Sequence, residues 1–132
     1  MTITLLISII GALTAVIVSL IGASLANRNS IVLQTRKLKE EHYISFIEAI
    51  HNLASDNNKP EYLIKYTFAR DKLFLIASEE VIKQMLFYEN EGVGKPCDLH
   101  DKYLTDLIKS IRKDLKLNDK NFPMIYLKKG KK

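Results

Sequence analysis

Charge is missing from the first 26 residues of this 132-residue chain, although 20 basic and 15 acidic side chains follow. Cysteine is nearly absent. The single Cys97 excludes an internal disulfide framework, and no Cys/His cluster has zinc-site spacing, so no metal and no cofactor is expected. There is no tryptophan, and 5 glycines and 3 prolines are too few for a collagenous, low-complexity or glycine-loop architecture.

What the amino terminus has instead is an apolar run. Ile3 to Ala26 reads ITLLISIIGALTAVIVSLIGASLA, 24 residues with nothing more polar than Thr and Ser. As a helix it would be roughly 36 Å long, enough for a hydrocarbon core of about 30 Å. Its hydroxyls can bond back to carbonyls one turn earlier. A domain this small could not surround such a helix as its core. A cleaved signal peptide is the other reading, since Ser24-Leu25-Ala26 has small residues at cleavage spacing. The missing positive n-region and the length of the run favour a retained anchor. Arg28, Arg36, Lys37 and Lys39 follow the span, and the positive-inside rule places that flank in the cytoplasm. The expectation is a single-pass protein of a bacterial inner membrane, amino terminus outside and carboxy terminus in the cytoplasm. Cys97 would then sit in a reducing compartment.

Within the run, Ser8, Ala12, Ala15, Ser19, Gly22 and Ala26 step alternately by four and three, a seam of small residues. Close backbone approach along such a seam is the usual route to association in lipid. A second row, Gly11, Ala15, Ser19 and Ala23, would suit a right-handed crossing. Self-association of the anchor is expected from these rows.

The remainder reads as helical. Asn27 to Ser30 is a polar break, and Ile31 to Glu41 a basic continuation. Apolar residues at 43, 46, 47, 50, 53 and 54 mark an amphipathic helix. Asp56-Asn57-Asn58-Lys59-Pro60 ends it and opens the next. Glu61 to Ala77 carries Tyr62, Tyr66, Ala69, Leu73 and Ile76 on one stripe, with Leu63, Phe74 and Ala77 widening that face. Ser78 caps a third helix with Val81, Ile82, Met85, Leu86 and Tyr88 or Phe87. Glu91 to Cys97 is a loop, and Asp98 caps a fourth helix with Tyr103, Leu104, Leu107, Ile108, Ile111 and Leu115 inward. Met124 to Leu127 could be extended. The expected fold is all-α: a transmembrane anchor (1–26), a basic juxtamembrane segment (27–41), a bundle of about four helices (42–117) and a basic tail (118–132). Residues 42–115 carry 10 basic and 12 acidic groups, so basicity concentrates at the membrane flank and in Lys128-Lys129-Gly130-Lys131-Lys132. That tail could meet anionic lipid. No basic stripe with interleaved aromatics lies on a helix, so nucleic acid is not an expected partner.

Chemical motifs are few. Gly92-Val93-Gly94-Lys95-Pro96 lacks the early glycine and the following hydroxyl of a phosphate loop, and reads as a turn. His42, His51 and His100 lack metal-ligand spacing and read as surface or interface histidines. Arg36-Lys-Leu-Lys-Glu-Glu-His42 resembles in spacing the R-x(4–6)-H motif of the helical HEPN ribonucleases. The resemblance implies an acid/base role for His42 and phosphate contact for Arg36, although here the motif precedes the bundle rather than lying on its last helix. Ala69 to Val81 and Leu107 to Leu115 resemble segments of uncharacterised bacterial single-pass proteins whose anchor precedes a small helical cytosolic domain. That resemblance covers roughly residues 43–117 and implies no activity. Arg70 and Arg112, followed closely by Asp71 and Asp114, could pin helix two to helix four or form an anion site. The function expected is a non-enzymatic adaptor or small membrane effector that binds itself, the bilayer and a cytosolic protein. A membrane-tethered nuclease or other hydrolase, or a pore-forming effector, is the alternative.

Overall fold

Neither a proline nor a charge interrupts the first two dozen positions. The computed structural model, which describes residues 1–117 and 119–126, accordingly begins with one helix, α1, over Thr2–Ser55. The break expected at Asn27 to Ser30 does not occur. Asn and Ser cost only a few tenths of a kcal/mol each in a helix, and without Gly or Pro nothing stops propagation. Gln34 Nε2 donates to Ser30 Oγ one turn back at 3.4 Å, within the stretch expected to break. α1 is long and apolar enough near its amino terminus to span a membrane.

Three further helices follow: α2 over Pro60–Ile76, α3 over Glu79–Phe87 and α4 over Cys97–Asp114. Among the described residues the chain is all-α, with no strand. Met124 to Tyr126 has no regular structure, and Leu127 lies outside the described residues, as does the basic tail from Lys128. Pro60 sits in the first turn of α2, where its missing N–H costs nothing. Ser78 caps α3 as expected, its side chain accepting from the Val81 N–H at 3.4 Å. α4 starts one residue before the expected cap. Pro96 is its N-cap, its carbonyl accepting from the N–H groups of Leu99 and His100, and Asp98 lies in the first turn, where a carboxylate favours the helix dipole. α4 ends in a Schellman motif: Leu117 N–H donates to the Arg112 carbonyl and Lys116 N–H to that of Lys113, with Lys116 at φ 56°.

The chain divides into two units, residues 1–37 and the residues from Leu38 onward. In the first, every residue is exposed. In the second, Tyr43, Phe46 and Ile50 of α1, Tyr66 and Leu73 of α2, Val81 and Met85 of α3 and Leu104, Leu107 and Ile111 of α4 form the core. The inward stripes on α1, α2 and α4 are those the periodicity marks. On α3 the buried face is Val81 and Met85, continued by Tyr88, whereas Leu86, expected inward, is exposed. Leu63 and Phe74 are likewise exposed rather than widening the buried face of α2. Both misplacements come from widening the inward face beyond one row. A single i, i+4, i+7 row is all that a nine-residue helix can bury on one side.

The expected loop after α3 begins late, because Tyr88–Gly92 continues as a π-helical turn. Val93 N–H donates to the Tyr88 carbonyl at 3.0 Å, the i to i−5 bond that defines it. Gly92 is buried, and a Cβ there would meet the Tyr88 ring at 3.0 Å and Tyr103 Cβ at 3.3 Å. Gly92→Ala should therefore cost about 1–3 kcal/mol through overpacking. A wild-type thermal midpoint for that variant would show that the turn does not close on Tyr88.

Candidate functional site

The turn and the loop after it bring polar side chains to one end of the core. Tyr66, on the inward stripe of α2, donates its hydroxyl to Glu89 Oε1 at 2.6 Å. Arg70, one turn further along, places Nη1 3.7 Å from the same oxygen and reaches Asp71 Oδ1 through Nη2 at 3.2 Å. Beside them the Tyr88 hydroxyl meets His100 Nε2 at 3.0 Å, the rings standing edge to face at 5.4 Å. His100 Nδ1 lies 3.4 Å from Asp101 Oδ1. Tyr66, Arg70, Tyr88, Glu89 and His100, with Ile50, Leu53, Leu63, Val93 and Gly94, line a cleft of about 600 Å³. Gly94, at φ +71°, has the left-handed backbone that lets the loop turn along its edge.

Burial sets the protonation of this cleft. It pushes the Tyr88 hydroxyl up to about 12. It also raises Tyr66, reinforced by the hydrogen bond to Glu89 and that carboxylate's charge. Both tyrosines are thus neutral near neutral pH, and Tyr66 is an oriented donor to Glu89. The Arg70 guanidinium is flanked by Asp71 and Glu89, and two carboxylates oppose the approach of an anion. The cleft therefore has an apolar wall with a hydrogen-bonded polar rim.

A second polar node lies elsewhere in the same unit. Asp114, at the end of α4, accepts from Lys39 Nζ at 2.9 Å and from the Tyr43 hydroxyl at 2.5 Å, both on α1. Burial alone would raise the Asp114 carboxyl, but hydrogen bonds from Tyr43, Lys39 and Ser78 outweigh it and hold it below the usual range. Tyr43 is raised by burial and by Asp114.

The residues singled out in the sequence are thus distributed rather than gathered. Arg70 does pair with Asp71, but within α2 and not across to α4. Arg112 forks onto Asp119, with Nε 2.8 Å from Oδ1, and lies 5.2 Å from the Phe122 ring. Asp114 takes Lys39 instead of an arginine. Lys39–Asp114 ties α1 to α4 and Tyr66–Glu89 ties α2 to the π turn. Both arginines sit beside an aspartate as the sequence pattern shows, yet a helix turns neighbouring residues about 100° apart, so adjacency in sequence cannot choose an interhelical partner. Arg36 is exposed and His42 half-buried on α1, one on each side of the division between the units. The seam residues Ser8, Ala12, Ala15, Ser19, Gly22 and Ala26 are all exposed on α1. Cys97 is an exposed free thiol. Among the described residues no three His, Cys, Asp or Glu converge as metal ligands.

Sequence reasoning missed Glu89, and it read Tyr88 only as an apolar position of the third helix and His100 only as a surface or interface histidine. The signal was present only as Tyr and Glu adjacent to a glycine-bearing loop, a pattern too common to point anywhere without the π turn. Compared with known proteins, the chain matches no family model, no curated protein and no solved structure.

Proposed function

We propose that the protein is a membrane-anchored helical interaction module. Ile3 to Ala26 crosses a bacterial inner membrane as a retained single span with its amino terminus outside. The residues from Leu38 onward form a cytoplasmic bundle that binds protein partners, and the span pairs with another copy along its small-residue seam.

One observation carries this reading: the apolar first half of α1 is wholly exposed. Ile10, Leu13, Ile17 and Leu20 are each at least half exposed, and no part of the candidate span is buried. Water is the wrong solvent for such a surface, since each large apolar side chain left wet forgoes about 1.5–3 kcal/mol. The hydroxyls are already adapted to hydrocarbon: Ser8 Oγ donates to the Thr4 carbonyl at 2.9 Å and Thr14 Oγ1 to that of Ile10 at 2.8 Å. Arg28, Arg36, Lys37 and Lys39 favour the cytoplasmic side for the following flank. The cleft at Tyr66, Tyr88 and Glu89 supports the docking role, because its polar groups are fixed and its wall is apolar.

Topology is tested by fusing alkaline phosphatase or a fluorescent protein after Lys132. Fluorescence without phosphatase activity is expected, and periplasmic phosphatase activity would reverse the orientation. A mature amino terminus beginning at Asn27 would show that the run is a removed leader. Association is tested at Gly22, where an added Cβ meets nothing within 4 Å in the same chain. Gly22→Leu leaves the helix itself undisturbed, so any loss arises between copies. In a membrane reporter assay Gly22→Leu and Ser19→Leu should weaken association several-fold, while Leu13→Ala and Ile17→Ala should not. A right-handed pairing through Gly11, Ala15, Ser19 and Ala23 would be sensitive at Ser19 but not at Gly22.

A further inference from the structure

α2 is apolar on both sides. Its inner stripe, Tyr66 and Leu73, is buried, but Ile64, Phe68 and Leu75 on the opposite side are 55%, 65% and 85% exposed. Phe68 stands at the lip of a groove of about 460 Å³ between α1 and α2, lined by His42, Glu48 and Asn52 from one helix and Lys65 and Lys72 from the other. Its α1 wall carries one carboxylate, Glu48, and its α2 wall two lysines, Lys65 and Lys72. Glu41 and Glu48 of α1 and Lys72 of α2 form no ion pair among the described residues, and Lys65 has only an exposed one-turn bridge to Glu61.

We infer that this α1–α2 face is a contact between two copies of the chain, related by a two-fold axis near Phe68. A face whose acidic side is α1 and whose basic side is α2 is its own electrostatic complement under such an axis. Glu48 of each copy then faces Lys72 of the other, and the contact is made twice. Phe68 and its symmetry mate cover each other at the centre, and Ile64 extends the apolar strip. Lipid fits the face less well, because Asp71 lies within the outward row Ile64, Phe68, Asp71, Leu75 and a carboxylate is repelled by an anionic leaflet. The contact adds to the anchor association proposed above. It rests on that reading only for the high effective concentration that tethering in one membrane provides.

The test uses the full-length chain in membranes, in a Cys97→Ser background. Phe68→Cys should form a disulfide-linked dimer on mild oxidation, since a residue near the axis brings its Cα within about 7 Å of its mate. Phe87→Cys, half exposed on α3, should remain monomeric. In the Phe68→Cys chain, Glu48→Lys alone or Lys72→Glu alone should reduce cross-linking several-fold by setting like charges opposite each other. The two together in one chain should restore it, as should co-expression of the two single variants, whose mixed dimer has matched pairs on both sides. Equal cross-linking at Phe68→Cys and Phe87→Cys, or a combined variant no better than the singles, overturns the inference. Charge-dependent cross-links that ignore Gly22→Leu support the face and discard the anchor seam. Gly22-dependent association with a flat charge cycle overturns the face and leaves the anchor standing.

Discussion

Leu107→Ala should lower the stability of the helical unit by roughly 2–5 kcal/mol. Leu107 is fully buried at the middle of α4, in one cluster with Phe46, Leu73, Val81 and Met85 from the other three helices. Truncation removes its transfer free energy and leaves a void within that cluster, which relaxes only in part. For a unit of this size the thermal midpoint should drop by about 4–8 °C for each kcal/mol lost. Leu75→Ala is the matched control: at 85% exposure it should change stability by about 0.5 kcal/mol or less. The measurement is the melt of the full-length protein in detergent, followed by far-ultraviolet circular dichroism. Equal losses at the two leucines would mean that α4 does not present this face to the core.

Asp114→Ala should cost about 2–3 kcal/mol, below the full value for a deeply buried pair because Lys39 keeps some contact with solvent. The change strips the Tyr43 hydroxyl and the Lys39 ammonium of a common acceptor and so loosens α1 from the end of α4. Asp114→Asn separates charge from shape, since the amide oxygen still accepts one bond. The pH dependence has a definite sign. The folded-state carboxyl is held below its ordinary value near 3.8, so the folded chain binds fewer protons there than the unfolded chain. Its stabilisation is fully present above the unfolded value and is lost as pH falls through the folded one. In melts taken from neutral pH downward, the gap between wild type and Asp114→Asn should therefore narrow once pH falls below the unfolded value. A constant gap as pH falls would show that the carboxylate contributes no charge-dependent stability.

Local chemistry was legible wherever one residue type settles the matter. The proline in the first turn of α2, the serine that caps α3 and the inward rows on α1, α2 and α4 could all be read directly, because capping and period depend only on near neighbours. The polar stretch Asn27 to Ser30 misled because polarity was taken as a break, while helix continuity depends on backbone cost, and that stretch contains no glycine or proline. The candidate site was legible in fragments. Arg70 lies on the rim of the cleft, but its partner Glu89 belongs to a π turn that no periodic pattern announces.

The sequence by itself determined that the chain is helical throughout its ordered elements, that its amino-terminal helix is apolar enough to span a membrane, and which rows of α1, α2 and α4 turn inward. These follow from propensity and from a 3.6-residue period, both properties of short stretches. Only the tertiary structure decided that Asp114 takes Lys39 and Tyr43, that Arg112 takes Asp119, that Tyr66 meets Glu89, and that the outer row of α2 is left uncovered. Those choices depend on how far each helix is rotated about its own axis and slid along its neighbours. The packing of the whole core fixes both quantities together, and no single segment encodes either.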